Sequence, residues 1–141
     1  MEQKQLNIAT GLVTYRLNDA CEIRINPTDT GFVERLFHIF DTLEARQGEL
    51  EAKVKAAQQR EVFDIARKAD AEMRELIDGA LGVGVCAALF GDVNCYAYAD
   101  GFPVWANLLF AIMDECGTSF TEQQKLTNPR LEKYMAKYNR K

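Results

Sequence analysis

The sequence predicts a predominantly helical α+β domain: an N-terminal β-hairpin over about residues 8–26, then about five helices, the central ones long and charged. Three observations carry this. A period-two pattern of apolar residues ends at Pro27, and from Phe32 onward apolar residues recur every three or four positions. The 141 residues are 48% hydrophobic and 27% charged, an ordinary balance for a globular chain. That length suits one compact domain whose core needs neither disulfides nor metal, placed at residues 1–124, with a basic C-terminal helix or tail at 125–141.

Leu12, Val13, Tyr15 and Leu17 form one strand-favouring run, and Cys21, Ile23 and Ile25 alternate with Glu22, Arg24 and Asn26 in the next. Asn18-Asp19-Ala20 separates them, so the pair reads as a hairpin with one wet face. Two strands alone are marginal, so their apolar face must lie against helices or a partner. Pro27 stops the second strand, and Thr28 or Asp29 caps a helix beginning near Thr30. Phe32, Val33, Leu36, Phe37, Ile39, Phe40 and Leu43 give that helix a wide apolar stripe. Gly48 either ends or loosens it, although Gln47 and Glu49 permit continuation.

Residues 49–79 are charged and helix-favouring, with one seam at Leu50, Val54 and Ala57 and another at Val62, Ala66, Ala69, Met73, Leu76 and Ala80. The step from Ala57 to Val62 breaks the phase, which predicts a bend near Gln58-Gln59-Arg60. An unbroken helix from Thr30 to Asp78 would be about 73 Å long, too long for a domain of this size, so the segment either folds back or projects. Gly79, Gly82 and Gly84 then break the helix, and Val85 to Phe90 makes a short apolar one. Asp100 or Gly101 is expected to cap a further helix with Pro103 in its first turn and Gly117 at its end. Thr121 with Gln124 suggests a capping box, and Asn128-Pro129 starts a last amphipathic helix through Leu131, Tyr134, Met135 and Tyr138.

Several chemistries are argued against by what the sequence lacks. The longest apolar run, Val104 to Met113, is interrupted by Asn107 and followed by Asp114 and Glu115, well short of the roughly 20 residues of a spanning helix. Mean hydropathy of −0.24 agrees. The polar start Met1-Glu2-Gln3-Lys4-Gln5 has no signal-peptide character, which predicts an interior compartment. There Cys21, Cys86, Cys95 and Cys116 are expected as reduced, partly buried thiols, and their spacing lacks the short pairs of a zinc site.

"GALGVG" at 79–84 follows a helix rather than a strand and carries no lysine, so it reads as a helix-to-helix turn and not as a phosphate loop. His38 is the sole histidine, which precludes a two-histidine metal site within one chain and leaves no identifiable Cys-His pair. Asp41 with Glu44, Asp70 with Glu72, and Asp114 with Glu115 read as solvated helix charges, and Asp92 and Asp100 as turn or cap residues. No catalytic residue, metal ligand or cofactor site is predicted.

Net charge is −4 with an isoelectric point near 5.1. From Lys125 onward there are six Lys or Arg against one acid, Glu132, a net of +5 that leaves −9 on residues 1–124. The acidic body argues against a nucleic-acid partner, even though Tyr134 and Tyr138 lie among the basic residues.

The arrangement as a whole is similar to something known. The hairpin, "INPTDTGFVERLFHIFDTLEA", "REVFDIARKADAEMRELIDGALG" and "LFGDVNCYAYADGFPVWANLLFAIMDE" resemble, from about Ile25 to Tyr138, small proteins of siphophages of Gram-positive gut bacteria described as tail assembly chaperones. The resemblance rests on arrangement and character, without a catalytic signature. It implies a non-enzymatic protein of the host bacterial cytoplasm that binds the tape measure protein or tail-tube subunits during virion assembly; self-association is expected separately, because a hairpin edge and an exposed helical seam both invite a partner. An apolar groove for partner helices would draw on Tyr96, Tyr98, Phe102, Trp105, Phe110 and Met113, the same residues that could instead be core. The alternative is a small acidic phage-encoded inhibitor of a host defence system, acting like an anti-CRISPR protein through its carboxylates.

Overall fold

The computed structural model describes residues 2–126; the basic tail from 127 and its expected helix lie outside the described residues. Strands β1 (Val13–Leu17) and β2 (Cys21–Ile25) pair antiparallel, with Val13 opposite Ile25, Tyr15 opposite Ile23 and Leu17 opposite Cys21. Those three pairs share the inner face, where Ile23 and Ile25 are buried, while Arg24, Arg16 and Glu22 face water. Asn18 and Asp19 both take positive φ, 50° and 57°, and the Ala20 amide closes the turn on the Leu17 carbonyl at 2.9 Å. Asparagine and aspartate tolerate this conformation, which explains their place at the hairpin tip.

Helix α1 (Thr30–Ala56) begins where Asp29 caps it, its carboxylate accepting from the Gly31 amide at 3.0 Å. Phe32, Leu36 and Leu43 of the expected stripe are buried, whereas Phe37 turns outward. Gly48 does not end the helix, because its neighbours favour helix and α1 runs on for two more turns. A methyl group at Gly48 would meet nothing within 4 Å. Gly48→Ala is therefore expected to stabilise the fold by about 0.5–1 kcal/mol, read as a rise in the thermal or urea midpoint.

Two extended residues, Ala57 and Gln58, separate α1 from α2 (Gln59–Leu81), at the place where the apolar phase breaks. The chain folds back there. Arg46 reaches Glu72 at 3.6 Å, and Leu50 and Lys53 face Ala69 and Ile65, so the two helices run antiparallel. The deepest line on α2 is Met73, Ile77 and Leu81; of the expected seam Met73 is fully buried, and Val62, Ala66, Ala69, Leu76 and Ala80 are half-buried beside it. No residue between Leu43 and Met73 is fully buried, so the far end of this helical hairpin stands clear of the core.

Gly82 ends α2 with φ of 136°, and Gly84, left-handed at 79°, starts α3 (Val85–Phe90). The glycine run is thus a helix-to-helix connector. After α3 the chain makes a second, minimal hairpin, β3 (Tyr98–Ala99) with β4 (Phe102–Pro103), before α4 (Val104–Lys125).

The start and end of α4 differ from the sequence reading. Asp100 and Gly101 do not cap the helix: with φ of 55° and 84° they are the two-residue turn of the β3–β4 hairpin. Asp-Gly is the dipeptide that such a turn prefers, since both positions need positive φ. Pro103 becomes the N-cap residue, and the free amides of Val104 and Trp105 donate instead to the carbonyls of Ala97 (2.7 Å) and Cys95 (3.2 Å). Nor does Gly117 terminate α4, which continues through Thr121 to Lys125, so no capping box opens there. Burial of Cys116 and Ser119 against the first hairpin favours continuation, and a helix end at Gly117 would have needed a left-handed residue that is not there.

Candidate partner-binding surface

The loop between α3 and β3 is held by charges that the sequence reading assigned to solvent. Asp70, Arg74 and Asp78 lie one turn apart on a single face of α2; Asp70 and Arg74 reach across to the loop, and Asp78 to the start of α3. Arg74 Nε donates to Asp70 Oδ2 at 3.0 Å, and its Nη2 donates to the carbonyls of Gly91 (2.8 Å) and Val93 (2.7 Å). Asp70 Oδ1 accepts from the Cys95 amide at 2.7 Å, and Asp78 Oδ1 accepts from the Cys86 amide in the first turn of α3 at 2.9 Å. Asn94 completes the set, donating to the Ala66 carbonyl at 3.1 Å and accepting from the Tyr96 amide at 2.9 Å.

The Asp70 and Arg74 side chains are each only 20% exposed, so their pairing is worth more than that of a solvated helix pair. Burial works against the charged guanidinium, but the hydrogen bond and charge of Asp70 more than offset it and hold Arg74 above its ordinary pKa. Glu115 is the other misread acid: it accepts from the Tyr15 hydroxyl (3.1 Å) and from Ser119 (3.3 Å), tying α4 to the hairpin. Asp41, Glu44 and Asp114 are exposed, as read. A spacing of four, four on α2, directly beside its apolar line of Met73, Ile77 and Leu81, was the one available signal for the Asp70, Arg74 and Asp78 set.

Of the six residues proposed from sequence, Tyr96 lies in that clamped loop, Tyr98 and Phe102 on the small hairpin after it, and Trp105, Phe110 and Met113 on α4, and the fold separates them. Trp105 is buried (3% exposed), with Nε1 donating to Gln47 Oε1 of α1 at 3.0 Å, and Tyr96 is buried beside Cys95. Burial pushes the Tyr96 phenol up to about 12. Phe110 and Met113 are half-buried on α4. Tyr98 and Phe102, on the two strands of the small hairpin, are 62% and 50% exposed.

The rings form a continuous ladder from core to surface. Phe40 meets Trp105 edge-on at 5.4 Å and Phe110 at 5.4 Å, and Phe110 meets Phe102 edge-on at 5.3 Å. Such contacts add about 0.5–1.5 kcal/mol each beyond area burial, so Phe102 is displayed on a rigid base. Two of the six residues are thus core, and the surface they leave is Tyr98 and Phe102 with Phe110 behind them.

A second open surface had no place in the sequence reading. A groove of about 800 Å³ lies between α1 and α2, where Gly79 and Ala80 leave space opposite Phe37, His38 and Ile39. Phe37 is 53% exposed there. The signal was the pairing of small residues on α2 with large ones on α1, which becomes visible only once the helices are known to be antiparallel.

The thiols do not suggest nucleophiles. Hydrogen bonding to the Cys95 thiol and then burial raise Cys86 far above the ordinary thiol range, and burial also raises Cys116. Among the described residues no cluster of three His, Cys, Asp or Glu side chains is placed to hold a metal ion, and no helix is long and apolar enough to cross a membrane. Every buried side-chain nitrogen and oxygen among them has a hydrogen-bond partner. Compared with protein-family models, with curated proteins and with solved structures, the chain matches none.

Proposed function

We propose that this protein works by binding other proteins, as a phage tail assembly chaperone that holds apolar helices of the tape measure protein, or tail-tube subunits, in the host bacterial cytoplasm. The observation that supports the reading is the display of Tyr98 and Phe102 on a clamped hairpin. Aromatic rings half-exposed on a rigid base suit the apolar face of an amphipathic helix, because little side-chain freedom remains to be lost on binding. Anchors of this kind each carry about 1–4 kcal/mol of binding in protein interfaces. The resemblance in the order and character of the segments points to the same class of partner.

Co-expression with the tape measure protein encoded nearby tests this. The expected result is a co-purifying complex and more soluble tape measure protein, with Phe102→Asp weakening the complex at least about tenfold, or 1.4 kcal/mol. Failure to associate with any tail protein would sink the proposal. A stable complex with a host immune effector, with loss of that effector's activity, would replace it with the defence-inhibitor reading.

A further inference from the structure

We propose that two copies of this chain associate by exchanging the segment before β1, the Leu6–Ile8 stretch of each copy adding as a strand to the β1 edge of the other. The donor segment is apolar at alternate positions. Leu6 and Ile8 are 82% and 77% exposed, and a period of two puts them on one side of an extended chain. Left uncovered, such a row is costly, which is why it invites a partner.

The acceptor is the hairpin edge. β1 and β2 form a sheet of two strands, and among the described residues β1 makes no backbone hydrogen bond beyond the hairpin and its turn. Its outer row of N–H and C=O groups is therefore open to a further strand. A pocket of about 180 Å³ lies at the same place, between the hairpin and α4, its apolar lining of Leu17, Ile23, Ile25 and Ile112 rimmed by Tyr15, Arg16 and Glu115. It has room for a branched aliphatic side chain. An edge that supplies backbone bonds, with a pocket taking alternate side chains, is the arrangement by which strand addition gains both affinity and register.

The chain's own segment is directed away from that pocket. Asn26 Nδ2 donates to the Thr10 carbonyl at 2.9 Å, and Gly11, with φ of 73°, leaves no room for a Cβ, which would lie 2.6 Å from Asn26 Nδ2. Ala9 and Thr10 consequently lie beside Glu122 and Gln123, at the far end of α4 from Ala111 and Ile112. Those two places on α4 are roughly 15 Å apart at 1.5 Å per residue. Each copy thus carries a donor and an acceptor that it does not join within itself, and a two-fold axis satisfies both at once.

Sedimentation of the full chain from micromolar to near-millimolar concentration tests the exchange. A reversible dimer is expected, and the double substitution Leu6→Asp with Ile8→Asp should weaken it at least about tenfold. At concentrations where both are monomeric, its circular dichroism and melting temperature should match those of the unsubstituted protein, because both side chains are exposed in a single copy. Ala111→Arg, which blocks the pocket from an exposed position, should do the same. Mixing the two variants should restore association, since the mixed pair has one sound donor facing one sound acceptor. A chain that is monomeric throughout, or a dimer indifferent to the Leu6 and Ile8 substitutions, overturns the proposal.

Discussion

Replacing Arg74 by alanine is expected to destabilise the fold by roughly 3 kcal/mol and to loosen the loop from Gly91 to Ala97 ahead of the rest of the molecule. Three acceptors lose their donor at once. The carbonyls of Gly91 and Val93 are left to find water, and Asp70 keeps the Cys95 amide but loses its counter-charge. Removing one partner of a mostly buried pair costs more than the pair itself contributes, because the survivor stays where it was desolvated. Arg74→Lys should recover only part of the loss, since a single ammonium cannot serve Asp70 and two separate carbonyls with the geometry of a guanidinium fork. Urea unfolding gives the total cost. Amide hydrogen exchange at Cys95 and Tyr96 gives its location, and exchange there no faster than in the unsubstituted protein would refute the clamp. The β3–β4 hairpin follows directly after this loop, so partner binding through Phe102 should weaken in Arg74→Ala even though Phe102 is untouched.

Why that clamp was illegible in the sequence is a matter of range. A carboxylate followed four positions later by an arginine looks the same on a solvated helix and on one that grips a loop, and the groups that decide between them are the amides and carbonyls of residues 91–95. The first hairpin and the start of α1 were legible because their determinants are local: alternation in β2, the turn at Asn18-Asp19, Pro27, and the Asp29 cap. The break after Ala56 was legible from a five-residue phase step, although neither glycine nor proline marks it. Asp100-Gly101 carried a hairpin signal that the following proline obscured: with Pro103 read as the first helical residue, the same aspartate looked like a cap. Gly117 misled in the opposite way. A glycine stops a helix only where the chain needs left-handed backbone, and the contacts of Cys116, Ser119 and Glu115 with the hairpin carry α4 past it.

Trp105→Ala should be the most damaging single aromatic change, at about 3–5 kcal/mol, whereas Phe102→Ala, three residues earlier, should cost the fold little. The two belong to one aromatic stretch and differ only in where the Asp100-Gly101 turn delivers them. Trp105 sits in the first turn of α4, on the face continued by Leu109, Ile112 and Cys116, and is 3% exposed; Phe102 precedes the helix on β4 and is 50% exposed. Losing the indole removes the edge-on contact with Phe40, opens a cavity under the ring ladder, and leaves Gln47 without its donor. Trp105→Phe separates these effects: it keeps an aromatic ring against Phe40 and gives up the hydrogen bond, at a cost of about 1–2 kcal/mol. Because Trp105 is the only tryptophan in the chain, its fluorescence reports directly on the same site in the unsubstituted protein. A blue-shifted emission that moves to the red on unfolding is expected. Measured below its own unfolding transition, Trp105→Phe should bind a partner as the unsubstituted protein does, and Phe102→Ala should not. The reverse ranking would move the binding surface away from the β3–β4 hairpin and leave the groove between α1 and α2, at Phe37 and Ile39, as the place where a partner helix docks.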